Sequence, residues 1–138
     1  MSRIPRSQEH LKTGFTAEAV SAARCRAYAA RAEQDGRPNL ARHWQRLAAE
    51  KDALAVKLLV AAEQVRGEAA DLSAAVSEER YENDVLYPKM IRDVDPATAA
   101  ALEEVLAAQK VHLKHLEDLR NALTSSTGDV GERVAPAA

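Results

Sequence analysis

Apolar residues recur at spacings of three and four along most of the chain, and no β-branched run alternates with the period of two that a half-buried strand needs. Four stretches carry the helical period. The first predicted helix takes Thr16 as N-cap and runs to about Gln34, where Asp35-Gly36-Arg37-Pro38 ends it; its inward stripe reads Phe15, Glu18, Ala22, Cys25, Ala29. The second starts near Pro38 and continues to about Val65, with stripe Leu40, Trp44, Leu47, Glu50, Leu54, Leu58, Ala61. Gly67 breaks the pattern before a third helix from Asp71 to about Ile91, framed by Leu72, Ala75, Val76, Leu86 and Met90, which Pro88 should kink or end early. Asp95-Pro96 then reads as N-cap and first residue of a fourth helix to about Leu123, with stripe Leu102, Val105, Leu106, Gln109, His112, Leu113, Leu116. Residues 1–12 read as a loose arm and the stretch from Ser125 as a frayed tail.

Four helices in a chain of this length predict an all-α four-helix bundle, one domain over residues 1–124 with a flexible tail over 125–138. Every stripe is interrupted by a polar residue. Glu79 and Glu82 stand one turn apart in the third; Glu18, Glu50, and Gln109 with His112 interrupt the others. Glu50 follows Glu18 by 32 residues and Gln109 follows Glu79 by 30, so two similar helical hairpins emerge as the building block. Carboxylates in a core stripe must be paired, protonated or bound to a cation, and two of them one turn apart can share a metal ion.

Composition narrows the function further. A net charge of -2 and a pI near 6.1, with Lys and Arg interspersed among acids, argue against a nucleic-acid partner. Cys25 is the only cysteine, so neither a disulfide framework nor a thiolate cage can form, which suits a reducing cytoplasm. Met1 to Gly14 is polar, and the longest apolar run, Leu58 to Ala62, is too short to span a bilayer; a cytoplasmic, non-membrane protein is expected.

The segments Phe15-Thr-Ala-Glu18, Leu47-Ala-Ala-Glu50, the run from Leu72 to Glu82 ending in Glu79-Arg-Tyr-Glu82, and Leu86-Tyr87-Pro88 resemble the rubrerythrin family over roughly residues 8–123. The third-helix signature is the most specific of them. The resemblance implies a ferritin-like bundle of two hairpins holding a di-iron carboxylate site, and an oxidoreductase acting on peroxide or O₂. It assigns Glu18 as the first-helix ligand, Glu50 as the bridging carboxylate, Glu79 and Glu82 as the third-helix pair and His112 as the fourth-helix imidazole. It also implies an external electron donor, since the single cysteine cannot build the rubredoxin module that many members carry.

Three positions depart from that pattern. Ala53 stands where a second-helix histidine belongs, Gln109 replaces a fourth-helix glutamate, and Cys25 replaces a tyrosine. A neutral amide is a poorer iron ligand than a carboxylate, so a single retained iron is expected as readily as two. Two other classes stay open, a non-enzymatic iron-binding or storage-related protein and a metal-free helical interaction module. In the latter Glu18 and Glu50 pair with arginines such as Arg24 or Arg46, Gln109 hydrogen-bonds neighbouring carboxylates, and His112 is a hydrogen-bonded core histidine. The ferritin-like arrangement also makes the second and third helices parallel. A link returning about 30 Å exceeds the roughly 20 Å that residues 66–71 can span, so a homodimer, domain-swapped or not, is expected.

Overall fold

The computed structural model describes residues 6–136, and all the regular structure among them is helical. Helix α1 spans Ser7–Gln34, α2 Pro38–Ala61, α3 Glu68–Tyr81, α4 Tyr87–Ile91 and α5 Pro96–Ser125, with a π-helical turn, Glu82–Leu86, joining α3 to α4. Backbone contacts divide the chain into two compact units, Met1–Val65 and Arg66–Ala138.

The first unit is the hairpin of α1 and α2. Its helices run antiparallel, as the pairing of Gln8 with Ala62, Glu18 with Lys51 and Tyr28 with Trp44 requires. Helix α1 begins nine residues before Thr16, so residues 7–12 of the expected arm are helical, while the rest of that arm up to residue 5 lies outside the described residues. Gly36, at φ 73°, closes α1 with a paired-carbonyl cap in which its N–H reaches Glu33 and the Arg37 N–H reaches Ala32. Helix α2 ends at Ala61, four residues short of the expectation, in the same kind of cap: Glu63 takes the left-handed position at φ 58°, its N–H bonded to Val60, and the Gln64 N–H reaches Leu59.

The seam between these helices is built from small residues. Ala22, Cys25, Ala29 and Ala32 of α1 are buried, and so are Ala41, Ala48, Ala55 and, at the α2 cap, Ala62, at a strict spacing of seven. Seven-residue spacing is the signature of an antiparallel coiled-coil seam, and alanine there lets the backbones approach closely. Of the expected α2 stripe, Trp44 and Leu58 are partly buried, Trp44 against Tyr28 of α1, while Leu40, Leu47, Leu54 and Glu50 are exposed, each Leu standing one residue round the helix from a buried alanine. Leucine is the more apolar residue, but close approach of two backbones selects the smaller one.

In the second unit α3, the π turn and α4 pack against α5. Asp71 fixes the start of α3 by accepting from the backbone N–H groups of Arg66 and Gly67 at 2.9 and 3.3 Å. Pro88 neither ends the helical run nor stops it early. The Tyr87 N–H reaches back five residues to the Glu82 carbonyl, and the extra residue in that turn places Pro88 in the first turn of α4, where its missing donor is harmless. Asp95 caps α5, accepting from the Thr98 N–H and hydroxyl at 2.9 Å each; these bonds hold its carboxyl below the ordinary range. The chain after Ser125 is structured by Ser126, whose hydroxyl bonds Gly128 and Asp129, and it turns Val130 over Leu72, Leu119 and Leu123, enclosing a cavity of about 330 Å³.

Candidate metal centre

The two hairpins treat their polar stripe residues alike. Glu18, Glu79 and Gln109 sit at seam positions, each partly buried between its two helices, whereas Glu50 and His112 sit on an exposed flank beside the seam. In a helix, residues i and i+1 differ by about 100° in direction, and i and i+3 by about 60°, so Gln109 can enter the seam while His112 stays outside it.

In the first hairpin Glu18 Oε2 lies 3.3 Å from Lys51 Nζ, with both side chains roughly seven-tenths covered. An exposed pair, Arg26 and Asp52 at 2.7 Å, crosses the same two helices. Neither Arg24 nor Arg46 is the partner of Glu18. Lys51 was not singled out as functional in the sequence, although its signal was present: it stands seven residues after Trp44 and seven before Leu58, within the second register of the α2 seam.

In the second hairpin the Gln109 side chain faces Glu79, and in the amide orientation that satisfies hydrogen bonding its nitrogen donates to Oε2 of Glu79 and, at 3.0 Å, to Oε1. Asn83, buried at the start of the π turn, donates to the Gln109 carbonyl at 3.3 Å and leaves its own Oδ1 buried with no hydrogen-bond partner. Glu82 opens that turn. Burial raises its pKa above the ordinary carboxyl value, and the charges of Glu79 and then Glu78 raise it further. Arg80 of α3 pairs with Glu117, 3.2 Å across the hairpin. His115, one turn beyond His112, is exposed and borders a shallow depression with Lys114 and Asp118, themselves paired at 2.6 Å. Cys25 is a buried seam residue of the first hairpin, in line with a small apolar role.

Among the described residues, no three His, Cys, Asp or Glu side chains are gathered closely enough to hold a metal ion. Of the six candidate ligands, Glu18 and Glu50 belong to the first unit and Glu79, Glu82, Gln109 and His112 to the second. Within the second unit the donor chemistry fits a hard cation. A raised carboxyl pKa marks a place where positive charge is favoured, the Asn83 carbonyl oxygen lacks a donor, and Glu79 and Glu82 supply carboxylate oxygens. Asn83 is the residue that the stripe analysis missed; it lies four after Glu79, on the same helical face.

No protein-family model matches the chain, and no curated protein matches it either. No helix among the described residues is long and apolar enough to cross a membrane.

Proposed function

We propose that the chain is a rubrerythrin-like iron-binding protein whose principal metal-binding element is the acidic centre of the second hairpin, and that it acts as an oxidoreductase on peroxide or O₂ with electrons from an external donor. The observation that carries this reading is Glu82. It is partly buried at the opening of a π turn, with Glu79 one turn before it, and its pKa is raised by burial and by that neighbouring charge. A cation placed there relieves the desolvation and the repulsion together. π turns of this kind frequently occur at functional sites.

Each residue has a role in this reading. Glu79 and Glu82 supply hard oxygen donors, and the resemblance assigns the nitrogen donor to His112, which lies on the exposed flank beside the seam and would have to turn toward it. Gln109 holds Glu79 in place, and a half-turn of its amide presents the oxygen instead. Bound iron would supply the one-electron chemistry that peroxide or O₂ reduction requires. Glu82, with its raised pKa, can hold a proton near that centre at a pH where an ordinary carboxyl has lost it.

A second reading, a metal-free helical interaction module, draws on the Gln109–Glu79 hydrogen bonds and the Glu18–Lys51 ion pair, which answer two seam carboxylates without metal. One experiment separates the two. Iron is measured per chain on protein from iron-supplemented cells, for the wild type and for Glu79→Ala and His112→Ala. Bound iron that both substitutions remove supports the first reading, and peroxide turnover by the loaded protein then distinguishes an oxidoreductase from an iron store. Iron at background, with a thermal midpoint unmoved by Fe(II), selects the second.

A further inference from the structure

Leu72 of α3, Leu119 and Leu123 of α5 and Val130 of the C-terminal segment wall the cavity of about 330 Å³ in the second hairpin. All four are partly buried, so the wall belongs to the packing of the hairpin and is not a row of loose side chains. The turn after α5 supplies its last side. There the Ser126 hydroxyl accepts from the Gly128 N–H and lies 3.1 and 3.0 Å from the Gly128 and Asp129 carbonyls, and Asp129 Oδ1 accepts from the Val130 N–H at 2.8 Å. Two charged side chains line the cavity, Glu68 at the start of α3 and Asp129 of that turn, and no basic one does. Neither carboxylate has an ion-pair partner among the described residues. Surface depressions elsewhere carry basic residues, Lys110 and Lys114 in one, Lys12 in another and Arg120 in a third.

Size and lining together define a class of ligand. A volume of this order stands at the lower end of small-molecule sites, and an apolar wall with a few polar groups is their usual make-up. The leucines and the valine accept an alkyl or aryl body. Two carboxylates without a counter-charge favour a cation at the edge and disfavour an anion. We propose that this cavity binds a small organic monocation, an alkyl- or arylammonium whose apolar body lies against Leu72, Leu119, Leu123 and Val130 and whose ammonium is held by Glu68 and Asp129. Glu68 and Glu79 stand eleven residues apart on α3, about 16 Å by helix rise, so the site is separate from the acidic centre and does not rest on the iron-binding reading.

Hexylammonium serves as the probe, titrated into the full ¹⁵N-labelled chain and followed by amide NMR shifts, with hexanol and hexanoate as the neutral and anionic comparisons. Hexylammonium is expected to shift the amides of Leu72, Leu119, Leu123 and residues 128–130 saturably. Hexanol should bind about fivefold more weakly, the scale of two exposed ion pairs, and hexanoate more weakly still. Glu68→Gln combined with Asp129→Asn should bring hexylammonium down to the level of hexanol, with the circular dichroism unchanged. Val130→Gly alters the apolar wall outside the helices, so the hairpin itself is left intact, and it should weaken hexylammonium and hexanol together. Hexylammonium that binds no better than hexanoate overturns the proposal. So does binding unchanged in the doubly substituted chain, or the absence of any saturable shift at these residues in the wild type.

Discussion

Gln109 of α5 faces Glu79 of α3, and in the amide orientation that satisfies hydrogen bonding it donates to both carboxylate oxygens, the Oε1 contact being 3.0 Å. A neutral donor stands where the family resemblance calls for a second carboxylate. Gln109→Glu exchanges that donor for a second negative charge and leaves Glu79 without its hydrogen bonds. At neutral pH the change is expected to destabilise the metal-free chain by about 1–3 kcal/mol, the scale of leaving a partly buried acceptor unpaired. Acidification, or a divalent cation, should restore most of that loss. Thermal midpoints of the variant and the wild type, across pH and with and without Co(II), measure the effect; a variant as stable as the wild type at neutral pH, with no cation present, would show that the Gln109 contact carries no weight.

Glu82 makes the pH dependence of stability specific. Its folded-state pKa lies above the ordinary carboxyl value, first through burial and then through Glu79 and Glu78. Between that ordinary value and the raised one, the folded chain keeps a proton that the unfolded chain has released. Stability therefore falls as pH rises through the window, and the Glu82 contribution is most favourable below it. Glu82→Gln, which imitates the protonated form, is expected to flatten this descent and raise the thermal midpoint at neutral pH. A divalent cation should stabilise the wild type there and do little for the variant. Parallel pH profiles for the two proteins would count against the assignment.

The long helices were legible in the sequence because the three-and-four spacing runs through α1, α2 and α5, and their ends were legible where glycine or an N-cap aspartate acts, as at Gly36 and Asp95. Glu63 shows the opposite case. It adopts a left-handed conformation that residue type does not announce, so the end of α2 fell four residues earlier than the pattern implied. The facing side of α2 was misjudged for a different reason. Hydrophobicity ranks Leu40, Leu47 and Leu54 above Ala41, Ala48 and Ala55, while the close approach of two helices ranks them the other way. Lys51 was overlooked although Trp44 and Leu58, which share its seven-residue register, are in the predicted stripe, because a lysine is not expected at a seam position. At the third helix the carboxylates were evident from their placement in the stripe, but the π turn that accommodates Pro88 depends on a backbone register that side-chain periodicity does not encode.

The alanine seam leads to a direct test of size. Ala48 is buried between α1 and α2, and its neighbour Ala49 is exposed. Ala48→Leu forces three more carbons into a seam set by small residues and is expected to cost about 1–3 kcal/mol. Ala49→Leu, the same chemical change one position round the helix, should stay within about 0.5 kcal/mol. Urea unfolding of both variants gives the comparison, and equal effects would mean that the seam is not closely packed.

Leu40, Leu47 and Leu54 repeat every seven residues along α2 and are 45%, 41% and 48% exposed, a continuous apolar line beside the seam. Fully burying a leucine contributes roughly 1.5–3 kcal/mol, so half-exposed leucines each retain on the order of 1 kcal/mol to be gained from a covering surface. With Glu50 flanking it, this line has the pattern of the second contact face that a helix needs in a four-helix bundle. In the homodimer expected from the sequence this face would be covered. Light scattering should then report twice the chain mass of 15.0 kDa for the wild type. Leu47→Asp combined with Leu54→Asp places two charges on the line while leaving Ala41, Ala48 and Ala55 intact, so the variant should remain helical by circular dichroism and run at the mass of one chain. A wild type that is monomeric at every concentration tested removes the homodimer, and a charged variant that stays dimeric moves the contact to another face.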